Sequence, residues 1–417
     1  MLQIIGPYFD PYQYGVKGLS TTHYLIQFLH FVHSQMDHKK PHAVMALYLD
    51  LSKAYNRVNH NLVIEDLHEM HTPAWLLRII VSYLSERSMV MSYNGAVSNP
   101  RVLPGGCPQG AFLGGLIFMI KFKGALLRPQ IPRPMTEPLS KSKSITVKFV
   151  DDGSVATSID MKSSLKPDLC RKRPLNFHER TEHCLPKPEN LLQHYMDDLE
   201  QFAEKNNLRV NQGKTQIMLF NKAKKWDFPP ELEYKDGSQV KLTKEIKLVG
   251  VIVSDNLKWE SNTKYICQKA RNKLWLLRRV KQLGLGAPFL FDLYTKEIRS
   301  ILEMAVPVWH SSLTNQQSNA IERVQKMAFR IILGEQYHSY QNALNFFRAQ
   351  TLYQRRIQLC SNFALKNLES DKPFFEPVSH PRRTRKSNKI VKEFTCNTAR
   401  FEKTSLPFLA KLINQSC

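Results

Sequence analysis

The chain has 417 residues, 42% of them hydrophobic and 10% aromatic, enough for two or three cores and too much for wholesale disorder. Fifty-nine Lys and Arg against 36 Asp and Glu leave a formal charge of +23, which points to a polyanionic partner. Seven scattered cysteines without a CxxC pair exclude a disulfide framework and a structural zinc, and no run approaches the ~18–20 apolar residues of a membrane span.

The N-terminus lacks the charged-then-apolar pattern of a secretory leader. No membrane association is expected. A soluble intracellular protein is expected, with nucleus and cytoplasm not distinguishable.

In chain order, residues 13–22 form a glycine-punctuated loop in which Ser20 or Thr21 can cap a helix over 22–36. Residues 43–49 read as a buried strand ending in Asp50. Amphipathic helices follow over 59–70 and 73–87, the second with Pro73 in its first turn. Residues 89–102 alternate around Asn94-Gly95 as a hairpin. His60, His68 and His71 fall near helical spacing, but they read as surface or core histidines rather than ligands.

A second glycine-rich loop, 105–115, runs into an apolar helix over 116–127, and a proline-rich surface loop covers 128–143. Two β-rich runs, 144–150 and 153–157, flank Asp151-Asp152 as a hairpin. Residues 160–189 are a basic insertion, 189–206 a helix, 207–220 a turn leading into a strand, and 246–253 a strand containing Gly250. Helical periodicity then dominates over 261–368, broken at 284–288 and at Gly334, before a basic low-order segment at 380–389.

Asp-Asp-Gly is by itself a turn signal as readily as a site. Asp50, however, ends another strand about a hundred residues earlier, and neighbouring strands would bring the three acids together. Clustered carboxylates repel unless a cation neutralises them, and oxygen ligands point to Mg²⁺ or Mn²⁺. Two such ions serve displacement at a phosphate.

Five stretches then carry a resemblance. Residues 46–58, with Asp50, resemble motif A of the reverse transcriptases of non-LTR retrotransposons; 106–114 resemble their motif B, and 149–152 their motif C. Residues 207–215 are similar to motif D and 248–253 to the primer grip, in the family's order. The resemblance implies an RNA-directed DNA polymerase of a mobile element, extending a primer 3′-hydroxyl on an RNA template with dNTPs and two metal ions.

It also implies roles for matched residues. Asp50, Asp151 and Asp152 would be the catalytic, metal-binding acids. Tyr55 would be the aromatic gate beneath the incoming sugar. Gln109 and Gly110 would lie near nucleotide and template, and Lys214 would protonate or neutralise pyrophosphate. Lys17 is a candidate phosphate contact. Lys273, Arg278, Arg279 and Lys281 would face the template–primer duplex from a basic thumb helix.

The implied fold is α+β: partial fingers over 1–42, a palm of small antiparallel sheet and helices over 43–258, an all-helical thumb over 259–370, and a basic tail over 371–417. The sequence departs from the family pattern at Asn56, Ala111, Gly115 and Val150, none of them a metal ligand. It also begins at the last fingers motif. The rest of the fingers would then come from an upstream segment or a partner chain. The alternative is a truncated, inactive remnant that binds nucleic acid.

Overall fold

The computed structural model describes residues 9–38, 42–123, 125, 144–160, 189–221, 231–370, 373–378 and 389–415. The proline-rich loop 128–143, nearly all of the insertion 160–189 and all but the last residue of the basic segment 380–389 lie outside the described residues.

The first helix, α1, spans Thr21–Met36, and β1 spans His42–Leu49. Strand β1 lies at the centre of a five-stranded sheet. A helix α2 (His60–Glu69), a helix α3 (Ala74–Leu84) and four two-residue strands β2 to β5 within residues 88–102 precede helix α4 (Phe112–Phe122). The hairpin β6 (Ser144–Phe149) and β7 (Asp152–Asp160) follows, then helix α5 (Glu189–Lys205), β8 (Gln216–Phe220) and β9 (Lys241–Leu242). The sheet order is β6-β7-β1-β8-β9, antiparallel except for the last pair.

Alternation along β1 assigns its two faces. Ala43, Met45, Leu47 and Leu49 pack into one apolar cluster with α2 to α5, while Val44, Ala46 and Tyr48 join another with α1. A strand buried on both sides needs apolar residues at every position, which is why 43–49 carries no polar alternation. Helix α1 is buried nearly all round, with Tyr24, Leu25, Phe28, Leu29, Phe31 and Val32 inside and the polar His23, His30, Ser34 and Gln35 buried beside them. Ser20 stands at its N-cap position, but its hydroxyl bonds the His23 ring at 2.8 Å and no side-chain cap forms. The expected Ser or Thr cap is therefore absent.

Residues 246–253 are not one strand. They fold as a hairpin of β10 (Glu245–Leu248) and β11 (Val251–Ser254), with φ of +38° at Val249 and +95° at Gly250 between them. Two successive positive φ values are what a tight hairpin turn demands, and glycine supplies the second at no steric cost.

Helices α6 (Glu260–Asn272) and α7 (Leu274–Gln282) open the helical region, which continues through α8 (Asn315–Leu333) to α9 (Leu352–Leu368). It breaks near Gly284–Pro288 and at Gly334 as the sequence indicates. Capping boxes at Thr314–Gln317 and Thr351–Gln354 start its two longest helices.

The residues after 389 are more than a tail. Val391, Leu406, Leu409, Ala410 and Ile413 are buried in the cluster that also holds α1 and the helices of residues 260–368, and Phe401 is buried as well. Asp37, just past α1, accepts hydrogen bonds from the Thr398 hydroxyl at 2.5 Å and the Asn397 amide at 2.7 Å. The boundaries drawn at 42/43 and 258/259 are likewise not breaks in packing, because one core crosses both.

Candidate active site

The sheet register sets the acids. Leu49 pairs with Gly153 across β1 and β7, so the next residue of each, Asp50 and Asp152, stands at the same sheet end on adjacent strands. Phe149 pairs with Asp152 across the β6–β7 hairpin, which leaves Val150 and Asp151 as its two-residue turn. Burial raises the carboxyls of Asp151 and Asp152. Asp151 is lifted above the ordinary 3.8, chiefly by desolvation and further by the charge of Asp50. Asp152 rises to about 6 through desolvation, then Asp151, then Asp50, with Lys214 opposing.

Asp50 is held from the segment after α5. The Asn211 side-chain amide donates to Asp50 Oδ2 at 2.7 Å, and Lys214 Nζ lies 3.8 Å from the same oxygen. The Asn211 backbone amide donates to the Asp50 carbonyl at 2.8 Å, and Ser52 N to the Arg209 carbonyl at 2.8 Å. Here a cleft of about 400 Å³ opens, lined by Asp50, Lys53, Arg57, Arg209, Asn211 and Lys214 among others. Four cations around one carboxylate make it a place for anionic oxygens. Asn211, Lys53, Arg57 and Arg209 were not singled out from the sequence; the Asn211-to-Lys214 spacing on one turn is the signal that could have found the first.

Tyr55 sits in a 3₁₀ turn, Ala54–Arg57, that follows Asp50. Its ring stacks on Phe118 of α4 with centroids 5.1 Å apart. Burial pushes its hydroxyl up to about 12, and the charge of Asp151 adds to that, so the phenol stays neutral beside the acids. The glycine-rich loop is strapped to this turn: Cys107 N donates to the Tyr55 carbonyl and Gly106 N to that of Val58, both at 2.8 Å. The Gly106 carbonyl in turn accepts from Arg87 at 2.8 Å and contacts His60 Nε2 at 2.7 Å. A β-carbon on Gly106 would stand 3.0 Å from backbone atoms of Tyr55 and Asn56, so this approach requires glycine. His60 thus braces the loop, a role its helical spacing did not reveal.

The other sequence candidates separate. Gln109 and Gly110 are exposed at the loop tip, and Lys17 is exposed on a turn and does not line the cleft. On α7, Arg278 and Arg279 are exposed. Lys273 instead pairs with Glu297 at 3.0 Å, and Lys281 donates to the Ile331 carbonyl at 2.8 Å. The four residues of the expected basic face thus divide into two that are exposed and two that contact neighbouring helices.

The donor set fits a hard divalent cation. Asp50, Asp151 and Asp152 offer only carboxylate oxygens, and the raised carboxyls mark negative charge that a cation would relieve. Among the described residues no three His, Cys, Asp or Glu side chains converge on a point as they stand. Asp50 is turned toward Asn211 and Lys214.

Comparison with known proteins places the sequence in a family. The profile of the family described as "Reverse transcriptase (RNA-dependent DNA polymerase)" matches residues 1–266. The probable RNA-directed DNA polymerase from transposon BS of Drosophila melanogaster is 23% identical over 299 residues, covering 70% of this chain and 29% of that protein. The RNA-directed DNA polymerase from mobile element jockey of Drosophila funebris is 24% identical over 243 residues, covering 57% of this chain and 23% of that protein. This chain spans under a third of the length of these relatives. Among solved structures, apo telomerase from Candida tropicalis aligns with a TM-score of 0.41 at 12% identity, over 99% of this chain and 54% of that one. Among the described residues no helix is long and apolar enough to cross a membrane. With the family profile covering the whole sheet and its acids, the chain belongs to the reverse transcriptase family.

Proposed function

We propose that this chain is the catalytic part of an RNA-directed DNA polymerase of a retrotransposon, adding dNTPs to a primer 3′-hydroxyl on an RNA template. The observation that carries the reading is the register of β1 on β7, which sets Asp50, on the wall of a cation-lined cleft, at the same sheet end as Asp151 and Asp152. Asp50, Asp151 and Asp152 would hold two Mg²⁺ or Mn²⁺ ions, whose chemistry is to activate the attacking hydroxyl and offset charge on the leaving pyrophosphate.

The protein's own groups bind and orient. Asn211 fixes Asp50, and Lys53, Arg57 and Arg209 neutralise triphosphate oxygens entering the cleft. Lys214, 71% exposed beside Asp50, serves as the proton donor or counter-charge for pyrophosphate. Tyr55, pinned on Phe118, leaves no room for a ribose 2′-hydroxyl. Gln109 and Gly110 reach nucleotide and template from the loop tip. Arg278 and Arg279 contact duplex phosphates. Lys17 is assigned no contact with the site.

A second reading, a nucleic-acid binder without catalysis, is favoured by one observation: the acids do not converge as they stand. Incorporation of a single dNTP opposite an RNA template, with Asp151→Asn as control, separates the two. Extension by the parent alone supports the polymerase. Duplex binding without extension by either protein supports the binder.

A further inference from the structure

The turn that carries Asp151 is locally unfavourable. Val150 takes φ of +57°, a region that β-branched residues avoid. Such a conformation persists only where surrounding structure over-determines it. Here that structure is a strap of residues 10–15 running along β6.

Gln13 is its centre and is only 3% exposed. The Val150 backbone amide donates to Gln13 Oε1 at 2.8 Å, and Gln13 Nε2 donates to the Val150 carbonyl at 3.3 Å. One side-chain amide therefore grips both backbone polar groups of the strained residue. Gly15 N donates to the same Oε1 at 2.9 Å, orienting the amide. A β-carbon on Gly15 would stand 2.8 Å from Val150 Cγ2 and 3.0 Å from Gln13 Oε1, so glycine leaves the space the grip needs.

The strap is itself anchored two residues before the turn. Tyr14 N donates to the Lys148 carbonyl at 2.8 Å, and Lys148 N to that of Tyr12 at 2.9 Å. The Lys148 ammonium is fully buried and pairs with Asp10 at 2.5 Å. It also donates to the carbonyls of Phe122 and Ala125 at the end of α4. Gln13 is thus fixed at both its backbone and its side chain.

We propose that Gln13 is a positioning residue for the catalytic acids: its amide clamps Val150 in the left-handed conformation and so sets where Asp151 and Asp152 stand. The clamp is read from geometry, while its effect on catalysis rests on the polymerase reading above. Gln13 does not touch substrate. It acts through the turn.

Gln13→Met keeps length and apolar bulk and removes the amide. Hydrogen exchange is expected to accelerate selectively at Val150 and its neighbours in this variant, with melting temperature nearly unchanged. In primer extension kcat is expected to fall about 10–100-fold, the scale of lost support behind ligands, while KM for dNTP moves less than about threefold. Val150→Gly removes the strain that the clamp opposes. Added to Gln13→Met, it is expected to recover part of kcat rather than deepen the loss.

Unchanged exchange at Val150 would overturn the clamp. A kcat loss that merely tracks melting temperature, or one that Val150→Gly deepens, would overturn the positioning role. Gln13→Glu keeps the acceptor and loses the donor. It is expected to fall between parent and Gln13→Met in both readouts, and it decides the matter if Gln13→Met does not fold; equality with the parent would overturn the proposal. If the parent itself fails to extend primers, the polymerase reading falls, while the exchange data still judge the clamp.

Discussion

Two hairpins in this molecule turn in opposite ways. At β3–β4 the turn is Asn94-Gly95, with φ of +47° and +81°, and the residues are those that accept such angles best. The turn is exposed, and its own sequence suffices to make it. At β6–β7 the turn is Val150-Asp151, where a β-branched residue at +57° is followed by two acids that burial has raised. Its conformation is imposed from a strap 137 residues away. Where local preference and observed geometry agree, a turn only connects strands; where they conflict and the surroundings enforce the result, the position of a side chain is being specified.

The largest expected effect falls on the anchor of the strained turn. Lys148→Met leaves Asp10 buried without its partner, and a loss of about 3–5 kcal/mol in unfolding free energy is expected from urea titration. Pairing it with Asp10→Leu should restore much of this, since a buried pair replaced by apolar groups is often neutral. No recovery in the double variant would mean the pair is more than a mutual neutralisation.

The acids provide a pH-dependent contrast. The folded carboxyl of Asp152, at about 6, lies above its ordinary 3.8, so between these values the folded chain holds the extra proton. Its contribution to stability is therefore present at low pH and is lost as pH rises from about 4 to about 6, by no more than about 3 kcal/mol. In metal-free buffer, Asp152→Asn is expected to flatten this stretch of the profile and to be the more stable protein at neutral pH. An identical slope in parent and variant would contradict the burial of this acid.

At the exposed turn the smallest effect is expected. Asn94→Ala forces alanine into a positive φ at a cost of about 1–2 kcal/mol, measured by denaturation, and leaves primer extension unchanged. A loss of extension there would erase the distinction between the two hairpins.

Much of this was legible in the sequence. The Asn94-Gly95 hairpin and the continuous apolar run of β1 are local patterns that appear where expected, and the hairpin at Asp151-Asp152 forms with its turn one residue earlier, at Val150-Asp151. The misses have long-range causes. Val249-Gly250 reads as strand interior until its two positive φ values turn it into a hairpin. The C-terminal residues seemed a tail because the Asp37 contacts that bind them lie 360 positions earlier. Gln13 carried no signal at all: a glutamine in a glycine-punctuated loop is ordinary, and only the neighbouring Val150 makes its amide matter.

The central claim is that the end of the β1–β7 pair holds a working polymerase site. The most direct measurement is template-dependent extension of a DNA primer on RNA, with dNTPs and Mg²⁺ or Mn²⁺, comparing the parent with Asp151→Asn. The account predicts products that follow the template sequence and a rate at least ~10³-fold lower in the variant, whose fold and duplex affinity are retained. Equal extension by both proteins, or none by a parent that binds the duplex and the ions, would contradict it.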